Sequence, residues 1–205
     1  PAVMAAVDRK GGCDPDVVVE AIAVGVDVAA GLGLAADSAL SFFRPAIAGI
    51  YGAALAVARI EGLPAEAFAD VLGMAHAHAA GTMQAHTEGS IALPLQFANA
   101  ARGAIHAVDL VRHGLTAAHD VIEGPFGHLR LFDRGSLDTY TRTLGTRWLI
   151  AEIGTKPYPS GRASHAVLGT LARFHGADVV AVEAYVPPLI RHLVGRAYDP
   201  AMTPA

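Results

Sequence analysis

Apolar positions along most of this chain recur at helical rather than strand spacing. After Asp14-Pro15, an N-cap with proline at the first helical position, Val17, Ala21, Ile22, Val24, Val28 and Ala29 spread apolar groups over nearly every face, which predicts an internal helix. Gly31-Leu32-Gly33-Leu34-Ala35-Ala36 imitates a dinucleotide-binding fingerprint. That fingerprint needs a strand before it, and here a helix precedes it, so no nucleotide site is expected. A second helix is predicted over 45–61, with Gly62 as its stop and with Gly49 and Ala53 placed for close approach of another helix. A third is predicted over 64–80, with Glu66 in its first turn, where the helix dipole favours an acid. A fourth, over 94–112, ends at His113-Gly114. This antiparallel-looking series with short connections predicts an all-α domain.

The pattern changes after Trp148. Lys156-Pro157-Tyr158-Pro159 must be extended, because each proline turns the residue before it away from helix. Ser160 is placed to cap a short helix over 161–175, and residues 178–186, rich in valine and partly alternating, predict a strand. A boundary near Ala151 is therefore expected. It divides a helical domain (1–151) from the start of a smaller α+β domain (152–205), so that the chain is mainly α.

Composition supports a buried core: 53% of residues are hydrophobic and 17% charged, which excludes disorder. Aromatics are only 6%, so the core must rest on small side chains and closely approaching helices. A formal charge of −4 gives no footprint for nucleic acid. Cys13 is the single cysteine, which rules out an internal disulfide and suits a reducing, cytoplasmic setting. Mean hydropathy is +0.39, yet the uncharged run 71–87 carries His76, His78, Gln84 and His86, and 45–58 is too short to span, so no membrane partner is expected. The chain starts at Pro1 without a methionine and ends after Asp199-Pro200 with no natural terminator, as expected of a piece of a longer protein. Of its 10 histidines, His76 and His78 are two apart and point to different sides of a helix. His86, His106, His113 and His119 form no His-x-x-x-His pattern, so no metal site is predicted. His128 reads as a structural loop residue.

Three segments carry a family resemblance: residues 44–72 (RPAIAGIYGAALAVARIEGLPAEAFADVL), 114–132 (GLTAAHDVIEGPFGHLRLF) and 156–165 (KPYPSGRASH). Their order and motifs, the last the most specific, resemble the MmgE/PrpD family of 2-methylcitrate dehydratase and its relatives. The resemblance implies a helical domain and an α+β lid with the active site between them, in homodimers. It implies lyase, decarboxylase or epimerase chemistry on small di- and tricarboxylic acids, without metal or organic cofactor.

Lys156, Arg162 and His165 surround a predicted helix start, where free backbone N–H groups and the dipole favour an anion. By themselves they fit either a capped helix with solvated cations or a carboxylate pocket. The resemblance favours the pocket, with Lys156 and His165 as catalytic candidates and Ser160 and Arg162 as substrate-binding ones; His165 equally suits a packing role. Arg44 stands where many members have a histidine before Pro-Thr, which makes it a candidate carboxylate clamp. Gln96 replaces the histidine of the family's Lys-x-x-His and can hydrogen-bond a ligand, but it cannot serve as a base. Leu93 replaces the lysine and cannot transfer a proton, and Gly161 replaces the cysteine of the lid motif. The implied reaction is proton removal next to a carboxylate with loss of a leaving group. An epimerase or isomerase is the alternative, and a non-catalytic helical interaction protein the rival.

Overall fold

The computed structural model describes residues 1–37 and 40–197. In chain order the helices are α1 (Ala2–Lys10), α2 (Pro15–Ala35), α3 (Arg44–Ile47), α4 (Gly49–Glu61), α5 (Phe68–Ala77), α6 (Gln84–Glu88), α7 (Ala92–Arg112), α8 (His128–Leu131), α9 (Asp138–Thr141), α10 (His165–Leu171) and α11 (Pro188–Val194). The fold is mainly α, as the periodicity predicts. Among the described residues, β pairing is confined to two isolated bridges, Ala36 with Gly135 and Phe42 with Thr82.

Helix α4 is the axis. Ile50, Tyr51, Ala54, Ala56, Val57, Ala58 and Ile60 are all buried, and α1, α2, α5 and α7 pack around it. Its partners present small residues: Val71, Gly73 and Ala75 from α5, and Gly103, Ala104, Ala107 and Val108 from α7. The tightest crossing joins α4 to α2. A Cβ on Gly52 would lie 2.0 Å from the Gly25 carbonyl oxygen, and one on Gly25 would lie 2.9 Å from that of Gly52. The sequence reading assigned close approach to Gly49 and Ala53, but Gly49 faces open space. The contact falls on Gly52 instead, and Ala48, between α3 and α4, breaks the expected single helix over 45–61.

Charged side chains tie the ends of the elements together. The Asp14 carboxylate caps α2 by accepting from the Asp16 N–H at 2.9 Å, with Pro15 in the first turn as expected. Glu61, nearly buried at the end of α4, pairs with Arg9 of α1 and with Arg112 of α7 at 3.0 Å. Asp70 of α5 accepts from the Ala117 N–H at 2.8 Å and from His119 Nε2 at 3.0 Å, pinning the loop after α7 and holding its carboxyl below the usual range. Helix α2 lies on the outside of α4 rather than inside the bundle, and Val19, Ile22 and Leu34 are exposed along it. It is long and apolar enough to cross a membrane by length and composition alone. It packs along α4 on one side and buries Asp27, whose carboxylate accepts from the Leu149 N–H and the Tyr140 hydroxyl, each at 2.8 Å. Gly31, one turn along, leaves room for the Tyr140 ring. The segment from α9 to the 3-10 turn Leu149–Glu152 is thereby strapped across α2, and the boundary expected near Ala151 falls inside that turn.

Two local expectations are corrected beyond that turn. The helix over 161–175 is a 3-10 turn (Arg162–Ser164), then α10, then a second 3-10 turn (Ala172–Phe174), and Ser160 caps none of them: its hydroxyl bonds to that of Ser164 at 2.9 Å. Residues 178–186 form no strand. Val180 and Tyr185 are 95% and 89% exposed, and with no neighbouring strand among the described residues their N–H and C=O groups are left to water. The expected end of the second domain, 198–205, including Asp199-Pro200, lies outside the described residues.

The Gly25–Gly52 crossing yields a direct prediction. Gly52→Ala adds a methyl group into backbone, where no side chain can give way, and is expected to destabilise the chain by about 2–4 kcal/mol. Gly33→Ala, on α2 with open space around it, removes a flexible glycine from a helix and is expected to stabilise by about 0.5–1 kcal/mol. Chemical denaturation of the two variants checks both signs. Equal behaviour would mean that the crossing is looser than described.

Candidate functional site

The predicted site residues fall into two groups. The first is built on the segment before α10. Lys156 Nζ donates to the Ser160 carbonyl at 3.2 Å, and His165 Nε2 approaches the same oxygen at 3.3 Å. A carbonyl only accepts, so the His165 proton sits on Nε2 and Nδ1 carries the basic lone pair. The ring is held edge-on by Tyr158, with centroids 5.4 Å apart. The expected extended stretch instead bends over 157–160, where the Ser160 N–H donates to the Tyr158 carbonyl at 2.8 Å, and the Ser160–Ser164 hydroxyl pair closes the turn. Arg162 lies on the same turn and borders an open groove that also involves Ala166, Thr170, Tyr185 and Ile190. Lys156 and His165 thus meet at the Ser160 carbonyl, and Arg162 borders the neighbouring groove. The Lys156 ammonium faces a carbonyl rather than a carboxylate, so its charge is uncompensated by that contact.

The second group holds Arg44 and Gln96. Ser41 to Phe43 pairs with the turn at Gly81 to Met83, through Phe43 N–H to Gly81 O at 3.0 Å and Met83 N–H to Ser41 O at 3.2 Å. Gln96 Nε2 donates to the Thr82 carbonyl at 3.2 Å, its Oε1 is buried against Gly81, and Phe97 meets Phe43 edge-on. Gln96 therefore closes this turn. Arg44 begins α3 and makes a two-pronged pair with Asp133, Nη2 to Oδ1 at 2.7 Å and Nε to Oδ2 at 3.0 Å. Such a fork fixes a guanidinium in plane and suits a partly buried pair.

No hydrogen bond joins the two groups among the described residues, but a chain of contacts does. α11 packs on the Arg162–Ser164 turn. His86 Nε2 of α6 donates to the Leu193 carbonyl of α11 at 2.7 Å, and Arg196 donates to the His86 carbonyl. α6 follows directly on the Gly81–Met83 turn that holds Gln96 and flanks Arg44.

The sequence reading missed the partners. Asp133 carries no motif signal, standing 89 residues from Arg44. His128, read as a structural loop residue, is fully buried at the start of α8, where Tyr51 and Phe132 meet it edge-on. The tight turn before it explains the two glycines of Glu123-Gly124-Pro125-Phe126-Gly127: a Cβ on Gly124 would lie 2.2 Å from the Asp120 carbonyl, and one on Gly127 2.8 Å from that of Ile122. Nearby, His76 Nε2 donates to Phe126 O at 3.1 Å, so its Nδ1 accepts from the Tyr51 hydroxyl at 2.6 Å. Among the described residues neither His128 nitrogen has a hydrogen-bond partner, Nε2 being 3.9 Å from Asp133 Oδ2. Burial pushes the His128 pKa down to about 4, against an opposing pull from Asp133.

His128 is thus neutral in the folded chain and protonated in the unfolded chain between about pH 4 and its ordinary 6.5. The unfolded state binds the extra proton, so stability falls as pH drops through this window. The wild type is expected to lose about 2 kcal/mol more than His128→Leu between pH 7.5 and pH 5. Parallel denaturation midpoints for the two across that range would count against a buried neutral imidazole.

Against known families, residues 1–139 match the MmgE/PrpD N-terminal domain, a stretch that includes Arg44, Gln96, His128 and Asp133. The Lys156 group lies beyond the match. No curated protein matches the chain. With 139 of 205 residues matched on a mainly α fold, the chain belongs to the MmgE/PrpD family.

Proposed function

We propose that this chain is part of a cofactor-independent lyase that acts on a small di- or tricarboxylic acid by removing a proton next to a carboxylate. The observation that carries this reading is the convergence of Lys156 and His165 on the Ser160 carbonyl, with Arg162 one turn away. Lys156 supplies an ammonium for a substrate carboxylate or for the enolate-like charge that develops on proton loss. Fixed cations aimed at such developing charge supply much of the rate in catalysis of this kind. His165 offers Nδ1 as a proton-transfer atom, and Ser160 and Arg162 supply binding contacts. Arg44, oriented by Asp133, is the second carboxylate contact, and Gln96 holds the turn beside it. Reaction class and substrate are carried by the resemblance of 156–165 to the family motif; family membership alone is compatible with epimerases on the same scaffold.

A non-catalytic reading draws on Leu93 and Gln96, which cannot transfer protons, and on the Arg44–Asp133 pair, which already uses one face of the guanidinium. The single half-buried Cys13 suits a cytoplasmic setting. The exposed apolar side chains along α2 suit a homodimer interface.

The full-length protein, assayed against a panel of hydroxylated di- and tricarboxylic acids, is expected to lose activity by about a hundredfold or more on Lys156→Met. Its melting temperature should scarcely change, because Lys156 is exposed. Lys156→Arg should rescue only in part, since a planar fork replaces a compact ammonium. Turnover and affinity unchanged in Lys156→Met would remove the centre of this site.

A further inference from the structure

A different pair of histidines, unconnected in sequence, meets on the surface. His78 caps the C-terminal end of α5, and His106 lies in the second half of α7; both are exposed. Their helices pack against each other, and Gly103, one turn before His106, leaves the space that the His78 Cβ occupies: a Cβ on Gly103 would lie 3.1 Å from it. His106 Nδ1 and His78 Nε2 are 3.2 Å apart, with ring centroids at 5.1 Å and planes tilted by 59°.

These dimensions fit two ligands on one ion. Two imidazole nitrogens each about 2.05 Å from a metal, at a near-tetrahedral angle, lie about 3.3 Å apart with their ring centroids about 5 Å apart. A straight N–H···N hydrogen bond at the same nitrogen separation would push the centroids out to about 5.5 Å. At 5.1 Å the rings share a bent hydrogen bond, and the same approach lets both nitrogens turn toward one ion. Desolvation, then the neighbouring His106, lowers the pKa of His78. No third histidine, cysteine or acid joins them among the described residues, so other positions on an ion stay open.

We propose that His78 and His106 form a two-histidine surface site for a late first-row divalent ion, the remaining positions being taken by water or an external ligand. Imidazole donors favour Cu(II) over Zn(II), following the general order of affinities. Bound metal would clip the end of α5 to α7, two helices that flank α4. The site is independent of the Lys156 reading.

Calorimetric titration of the full chain with Cu(II), in a non-coordinating buffer, tests it. One ion per chain is expected at the tightest site, weakened about tenfold or more in His78→Ala and in His106→Ala, since each removes one of only two protein ligands. His113→Ala, at the end of the same helix, should leave it unchanged; that ring already bonds the Asp109 carbonyl through Nδ1 at 2.7 Å. Electron paramagnetic resonance at one equivalent of Cu(II) should count two imidazole nitrogens in the wild type and one in either variant. Because both side chains are exposed, circular dichroism should show folded variants. A tightest site that survives both substitutions, or a nitrogen count that does not change, overturns the proposal.

Discussion

The backbone contact at Gly25 and Gly52 sets how deep α4 can sit. With no side chain on either residue, α2 and α4 meet carbonyl to Cα, and α4 can then be enclosed by α1, α5 and α7 on its other faces. A core with few aromatics needs this. Alanine and glycine bury little area each, so cohesion has to come from close, extensive backbone approach rather than from large interlocking side chains. Among the described residues Tyr51 is the largest fully buried side chain, and its hydroxyl reaches His76 instead of being stranded.

Around this apolar axis the buried acids act as fasteners. Asp27 holds the segment that follows α9, Glu61 gathers the ends of α1, α4 and α7, and Asp133 holds Arg44 at the start of α3. Each acid links elements far apart in sequence, and each would be costly to bury unpaired. The Arg44–Asp133 pair sits beside a second layer of polar groups, in which Tyr51 and His76 satisfy each other and His128 is held by ring packing. The Lys156 group, by contrast, sits on a short turn among exposed residues, and reaches the helical body through α11 and α6.

The candidate site was legible where chemistry is local. Lys156, Ser160, Arg162 and His165 lie within ten residues, and the two prolines leave that stretch few ways to fold, so their proximity follows from the chain itself. The partners of Arg44 and Gln96 were not legible. Asp133 and Thr82 are chosen by how α3, α7 and the α8 turn pack, and no spacing rule relates them. The histidines show the same limit: helical spacing correctly separates His76 from His78, but says nothing of Tyr51, Phe126 or His106 as their neighbours.

By itself the sequence determined that α2, α4, α5 and α7 are helices, where Asp14-Pro15 starts one and Gly62 stops another, and that the core would be built from small residues. These properties depend on neighbours three or four positions away, within reach of periodicity and capping. Tertiary structure decided the rest: that Gly52 rather than Gly49 makes the close crossing, that α2 lies outside α4, that 178–186 stays unpaired, and that Asp133 takes Arg44. Helix rotation, layer order, strand pairing and ion-pair choice are settled by surfaces meeting across tens of residues. A chain read along its length carries those surfaces but not their meeting.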